Sequence, residues 1–508
     1  MYNTNKKLRV SDIIQNEQIE QWKDGDVITI SAGTGKGKSY FIKNVLFSYA
    51  KDEGKKILML IHRSNCVNQF KEEIKRDGKE KYIDIMTYQK IETRELNKNS
   101  IDMSQYKYIV CDEFHYFLSD AGFNNTTDIS FSNIMNQSKA IKILMSATGD
   151  DMKRYMNKLL KIKTINYEIP FDFSFIKSLT FFNKDSTLEL FAEEAIRHDE
   201  KVIFFIQSAK KAYKLYKKYE EISLFNCSKN NTSYYKYVDP VKIDNMLKNE
   251  KFEELIFITT SCMDAGVNII DNELKHIVID IKDIGSLIQC MGRKRIQKDE
   301  QVNIYIKTIN NQQLGGMETN AKKNIEMADY LKKHNTKEFI EKYPRSIDKS
   351  QIIYDDIITV DGIADNNTCI KKVNELMYFK KKLDIVDYQT MRLLWGEFGY
   401  CKSLANKFGF YDKDLGEFNY RTIKEDNSLQ NYLDSVIGKV MLQVADRKEL
   451  IEKINIRRDG KLIKKLESIN PALIELGYSY QIKEFSTSKI IDSKRKRYNH
   501  AWKVETIN

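Results

Sequence analysis

The chain has 508 residues, 42% of them hydrophobic and 31% charged, a balance that excludes disordered and fibrous classes and a length that calls for about three domains. Lys and Arg number 83 against 72 Asp and Glu, a net +11 that permits a polyanionic partner without requiring one. Cysteines at 66, 111, 227, 262, 290, 369 and 401 form no CxxC pair and no apolar run is long enough to span a membrane, so zinc sites, disulfide frameworks and membrane insertion are disfavoured and a cytoplasmic location is expected.

In chain order, Val27-Ile28-Thr29-Ile30 reads as a strand that runs directly into AGTGKGKS at 32–39. Gly33, Gly35 and Gly37 free the backbone N–H groups of this loop to curl around an anion, together with Thr34 and Lys36. Lys38 would reach the β- and γ-phosphates and Ser39 would hold Mg²⁺. A helix starting near Ser39 adds its positive end to the same cradle. Ala32 stands where the strict GxxxxGKS/T pattern has Gly.

Short apolar runs then alternate with helical stretches: 26–31, 57–61, 83–86, 107–111 and 141–145. Runs of this kind suggest a buried parallel sheet. The pattern breaks near Ile165–Phe175, around Pro170, and a second series follows at 201–206, 255–260, 276–281 and 302–306. The economical reading is α/β: two tandem doubly wound parallel-sheet domains, over residues 1–168 and 169–310. The strand ending at Cys111 delivers Asp112-Glu113-Phe114-His115 to the sheet edge where ligands bind. Asp112 is placed to hold Mg²⁺ and Glu113 to deprotonate an attacking water.

Together these motifs resemble superfamily 2 helicases of the DExH type, in which an AxxGxGK loop is common. The resemblance covers about residues 25–300 in order. Ile61-His62-Arg63-Ser64 with Gln69 looks like motif Ia, Thr87-Tyr88-Gln89 like the TxxQ element, and Ser146-Ala147-Thr148 like motif III. Phe205–Ser208 falls where motif IV belongs. Thr259-Thr260-Ser261 with Gly266-Val267-Asn268 resembles motif V, although Asp often stands at the position of Asn268. Gln289 to Arg293 matches the start of motif VI.

The resemblance implies two RecA-like domains that bind ATP and Mg²⁺ in the cleft between them. Lys38, Asp112, Glu113, Gln289 and Arg293 would be catalytic, with Arg293 the arginine finger. His115, Ser146 and Thr148 would couple hydrolysis to domain movement, His115 through Gln289. Arg63, Thr87, Thr260 and Ser261 would grip a nucleic-acid backbone, with DNA favoured over RNA. The family's second motif VI arginine would fall at 296, where this chain has Ile296, with Arg295 one place earlier. On a helix, positions two apart point nearly opposite ways, so Arg295 serves only if the segment is not helical.

Beyond about residue 311 the pattern changes. A charged helix is expected over 319–343, then Pro344 and an acidic loop-like stretch through Asn367. From 369 onward helical spacing dominates, with Val373, Leu376 and Met377 on one face. Residues 311–508 are therefore expected to be a mostly α-helical accessory region, a possible seat for a protein partner. Asp355, Asp356 and Asp361 cluster without the ExK of a nuclease. Tyr213, Tyr216 and Tyr219 read as a packing face. The basic run Lys494–Arg497 reads either as a phosphate-holding cluster or as a solvated tail. The expected function is an ATP-dependent nucleic-acid helicase or translocase. The alternative is an ATP-gated clamp, or a motor subunit of a defence, restriction or replication complex that separates no strands itself.

Overall fold

The computed structural model describes residues 8–62, 64–122, 124–261, 267–297, 299–344, 352–360, 363–423, 428–458, 461–476, 478–491 and 494–507. Arg63, Gly266 and Asp361 lie outside the described residues.

The first series of apolar runs forms strands β1 (Val27–Ala32), β2 (Lys56–Ile61), β3 (Ile83–Thr87), β4 (Tyr106–Asp112) and β5 (Ile141–Ser146). With β6 (Ile165–Ile169) they make one parallel sheet in the order β3-β2-β4-β5-β1-β6. The runs are continuous because both faces are covered. Along β2, Leu58 and Leu60 enter one core while Ile57, Met59 and Ile61 enter the other, as a period-2 element buried on both sides requires. The interruption expected near Ile165 is instead the edge strand β6, whose Ile165, Asn166 and Glu168 are exposed. An edge strand open to solvent carries no apolar signature.

The second sheet contains β7 (Ile176–Phe182), β8 (Lys201–Ile206), β9 (Ser223–Asn226), β10 (Ile256–Thr259), β11 (Leu274–Asp280) and β12 (Val302–Lys307). Its order is β7-β12-β11-β8-β10-β9, parallel throughout, with the two-residue strand Arg421–Thr422 added outside β7. The two sheets, each clothed by helices on both faces, are the tandem RecA-like architecture. On the helix Ala209–Lys218, Tyr213 and Tyr216 pack against Phe225, and Tyr213 also against Tyr234 and Tyr237.

The C-terminal region carries the expected helices together with strands. Helices Asn311–Lys333, Thr336–Lys342 and Glu375–Gln389 pack against the first sheet's core, Leu376 and Met377 among its buried members. The stretch read as a loop pairs as two antiparallel strands, Ile353–Val360 and Ile363–Val373. Val373 therefore ends a strand, and the helix begins at Glu375 under the Asn374 cap. A small separate core around Leu450, Leu473 and Trp502 supports a long ribbon, Tyr480–Ile491 paired with Lys494–Thr506. Among the described residues no helix is long and apolar enough to cross a membrane.

Candidate active site

The carboxyl ends of β1, β2 and β4 converge on one cavity of about 380 Å³. Gly33, Thr34, Gly35, Gly37, Lys38, Ser39, Asp112 and Glu113 line it from the first sheet, and Asn268, Arg293 and Arg295 from the second. Lys36 lies outside the lining. Its carbonyl accepts from Val10 N–H at 2.9 Å and so ties the loop to the N-terminal segment. Gly37 takes φ +81° as the helical stretch begins at Lys38, a conformation that a side chain would strain. The Lys38 ammonium donates to the carbonyls of Ala32 at 2.8 Å and Gly33 at 3.4 Å.

Asp112 closes β4, and Tyr88 O–H holds its carbonyl at 2.8 Å. Glu113 sits at φ +51°, strained for a residue with a Cβ. The bond from Phe114 N–H to the Met145 carbonyl (3.1 Å) fixes the turn beyond it. The two neighbouring carboxyls are pushed apart electrostatically. Burial, then the charge of Glu113, raises Asp112 to about 7. Burial would raise Glu113 as well, but the Lys38 ammonium and the His115 hydrogen bond outweigh it and hold Glu113 well below its ordinary range. One of the pair thus stays an available base while the other needs a cation to ionise fully. Ser39 faces the same cavity, so a hydroxyl and a carboxylate stand ready as hard oxygen donors. Among the described residues no group of three or more His, Cys, Asp or Glu could hold a metal ion.

Behind the carboxylates runs a chain of polar contacts. Ser146 O–H lies 3.3 Å from Glu113 Oε2 and 2.9 Å from His115 Nδ1, and it accepts from Thr148 N–H at 3.0 Å. His115 Nδ1 is 3.4 Å from the same Glu113 oxygen. On its far side, His115 Nε2 meets Gln289 Nε2 at 2.8 Å, and Gln289 also reaches Thr148 Oγ1 at 3.4 Å. Gln289 belongs to the helix Ile284–Met291 of the second sheet, so this chain crosses between the two halves.

The helix stops at Met291, and Gly292 closes it in the right-handed region. Arg293 N–H turns back to the Cys290 carbonyl at 3.2 Å, and the chain becomes extended at Lys294. Ile269 N–H bonds the Arg293 carbonyl and Arg295 N–H bonds the Ile269 carbonyl, each at 2.8 Å, forming a parallel bridge between Ile269 and Lys294. Extended backbone alternates sides with period 2. Arg293 and Arg295 therefore both reach the cavity, while Lys294 Nζ is buried against the Asp271 carbonyl (2.6 Å) and Glu300 (2.5 Å). Arg293 donates to the carbonyls of Gln289 (3.1 Å) and Val267 (3.3 Å). Arg295 Nε donates to Asn268 Oδ1 at 2.7 Å, and its buried Nη1 has no hydrogen-bond partner among the described residues. That Nη1 lies 3.5 Å from where a Cβ on Gly35 would stand. Gly292 approaches the loop so closely that a Cβ there would come within 2.6 Å of Thr34 Oγ1. Burial, then Arg293's charge, lowers Arg295 to about 10.

Residues 7–151 match the family model of the type III restriction enzyme res subunit. They are a superfamily 2 helicase-type domain. No curated protein matches the sequence. Solved structures with similar folds include S. cerevisiae Dbp5 bound to RNA and ADP BeF3, at 16% identity, TM-score 0.43, covering 55% of this chain and 78% of that one. Mss116p bound to ssRNA and AMP-PNP gives 14%, 0.44, 65% and 80%. The Escherichia coli DEAH/RHA helicase HrpB gives 14%, 0.39, 56% and 41%. The architecture of the chain rests on its own strand order and register.

Of the residues expected to touch nucleic acid, Thr87, Thr260 and Ser261 do not line the cavity, and Arg63 lies outside the described residues. Thr87 caps the helix Tyr88–Leu96, its Oγ1 accepting from Lys90 N–H at 3.1 Å. Thr260 is buried just past β10, and Ser261 comes next. Asn268, which the sequence shows only as the last residue of the motif V segment where Asp often stands, is not among the expected site residues, yet it lines the cavity and holds Arg295. The role of Arg295 was left open by the helical reading of its segment.

Proposed function

We propose that the chain is an ATP-dependent nucleic-acid translocase or helicase, with a first motor domain over residues 1–168, a second over 169–310 and an accessory region over 311–508. The observation that carries this reading is the 2.8 Å contact between Gln289 and His115. It joins a helix of the second sheet to the residue that shares a Ser146 hydroxyl with the candidate base. A binding fold has no need to connect its second half to a general base.

ATP would lie with its phosphates on the loop 33–39 and its γ-phosphate facing Arg293 and Arg295. Lys38 would exchange the Ala32 and Gly33 carbonyls for phosphate oxygens. Glu113 accepts a proton from water as that water's oxygen bonds to the γ-phosphorus, and the bond from phosphorus to the bridging oxygen breaks to release ADP. Ser39 and Asp112 would hold Mg²⁺, which when bound supplies charge neutralisation at the β- and γ-oxygens. Arg293 and Arg295 stabilise the negative charge that builds on the transferring oxygens. Release of phosphate would loosen the arginine side of the cleft, and the His115–Gln289 contact would couple that movement of the second domain to the carboxylates of the first. Thr87, Thr260 and Ser261, with Arg63, would hold the nucleic-acid backbone through sequence-independent contacts.

Single-stranded DNA or RNA should accelerate ATP hydrolysis by the purified chain. Hydrolysis indifferent to both would sink the reading. Lys38→Ala and Glu113→Gln should each remove measurable turnover, with Glu113→Gln still binding ATP. Near-normal turnover in either variant would refute the site.

A further inference from the structure

The basic run at 494–497 takes no part in the cleft, and it is not a tail. It opens the second strand of the ribbon Tyr480–Ile491 and Lys494–Thr506. The two ends of that ribbon differ sharply. At the root, Tyr480, Ile482, Trp502 and Val504 are buried in the small C-terminal core. The charges there are matched: Lys483 Nζ meets Glu505 at 2.7 Å, and Glu484 takes the Trp502 indole N–H at 3.2 Å and pairs with His500. At the far end Lys489, Ile490, Arg495, Lys496 and Arg497 are exposed. Among the described residues none of these four cations has a carboxylate partner. Arg495 Nε donates to Ser488 Oγ at 2.9 Å, and the Lys496 ammonium lies 5.6 Å from the Tyr498 ring centroid.

The register sharpens the anomaly. Lys489 stands directly opposite Lys496, Ile490 opposite Arg495, and Ser488 opposite Arg497. Like charges facing each other across a ladder oppose its pairing, so this end is built at odds with its own stability. Successive side chains alternate faces, which puts Lys489 and Lys496 on one side of the ribbon and Arg495 and Arg497 on the other. A flat acidic surface would meet one of those faces. A duplex groove is bordered by a phosphate strand on each side, and the major groove of B-form DNA, about 12 Å wide, admits a two-stranded ribbon. The A-form groove of RNA is too narrow and deep for it.

We propose that the distal half of this ribbon is a duplex-DNA binding element, separate from the nucleotide cleft, which enters the major groove and meets both flanking phosphate strands through Lys489, Arg495, Lys496 and Arg497. It shares a partner class with the function proposed above but does not depend on hydrolysis.

The test uses the full chain without nucleotide and measures anisotropy of a short, blunt, fluorescent DNA duplex across a salt series. Replacing the four cations by Ser should lower the slope of log affinity against log salt by about 3–4, at about 0.9 per lost phosphate contact. The variant exchanging Lys for Arg and Arg for Lys at the same four positions should keep the slope. An unchanged slope in the Ser variant, or an equal loss in the exchanged one, overturns the proposal. Equal binding of an RNA duplex of the same sequence, or displacement of the DNA by polyglutamate as readily as by unlabelled duplex, overturns it too. Failure of the cleft reading would instead show as unstimulated ATP hydrolysis by the unsubstituted chain, and would leave the salt slope as it stands.

Discussion

The two walls of the cleft are built by opposite means. The first is contiguous: the loop 33–39 issues from β1 and carries Lys38 and Ser39 on consecutive residues, while Asp112 and Glu113 leave β4 together. Its geometry is set by local backbone, down to the positive φ of Gly37 and Glu113. The second wall is assembled at a distance. A helix ends at Met291, Gly292 slides against Thr34, and a single bridge to Ile269 turns the next residues into extended chain. Local sequence suffices for a phosphate cradle. Presenting two arginines to it requires a tertiary contact to choose the backbone conformation.

Removing an arginine tests whether the second wall is catalytic or merely adjacent. Arg293→Ala should lower the nucleic-acid-stimulated rate of ATP hydrolysis by about 10³–10⁵, the worth of an arginine finger. Nucleotide binding, read with a fluorescent ATP analogue, should weaken far less. A loss under tenfold would make Arg293 a structural residue bonded to the Gln289 and Val267 carbonyls. Arg295→Ala should cost less, about 10–100-fold, the value of a charge-assisted hydrogen bond forgone. Its buried Nη1, without a partner among the described residues, is the group that would make that bond. If Arg295→Ala hydrolyses ATP at the normal rate, the bridge to Ile269 serves the fold alone.

The same contrast governs what was legible in the sequence. The phosphate loop, the DEFH run and strands β1–β5 announce themselves because each is short-range or buried on both faces. Arg295 does not. On a helix, a spacing of two residues sends side chains to opposite sides, and the bond from Arg295 N–H to the Ile269 carbonyl is invisible in the residues around 293. The β6 strand escaped because its side chains face solvent at a sheet edge. The C-terminal strands escaped for a related reason. The ribbon alternates polar with polar over its outer half, so no apolar period of two exists there to be read. Val373 completed a helical pattern by coincidence of spacing, whereas its pairing with Ile353 makes it the last residue of a strand. Gln289 and His115 were matched through the family resemblance, and the geometry places them 2.8 Å apart.

Gln289→Ala examines the link between the walls without touching either charge. Its expected effect is about tenfold on nucleic-acid stimulation, within the range of one lost buried hydrogen bond and its unsatisfied partner, while the unstimulated rate changes little. A proportional fall in both rates would show that Gln289 supports the site and relays nothing.

The gentlest perturbation is pH, and it sharpens the account of the first wall. Asp112 is raised to about 7 by burial and by Glu113, so below that pH the carboxyl keeps its proton. Linkage sets the sign. The folded state holds this proton more tightly than the unfolded chain does, so Asp112's contribution to stability is greatest at low pH and is lost as pH rises from about 4 towards 7. A cation on the carboxylate offsets that loss and must displace the proton to bind. The Mg²⁺ concentration for half-maximal hydrolysis should therefore rise as pH falls below about 7, by at most about tenfold per unit, the limit for competition with a single proton. Asp112→Asn has no proton to displace, so any Mg²⁺ response it retains should be independent of pH between 5 and 8. A Mg²⁺ requirement equally flat in the unsubstituted chain would mean that Asp112 is ionised throughout and that the cation is held elsewhere.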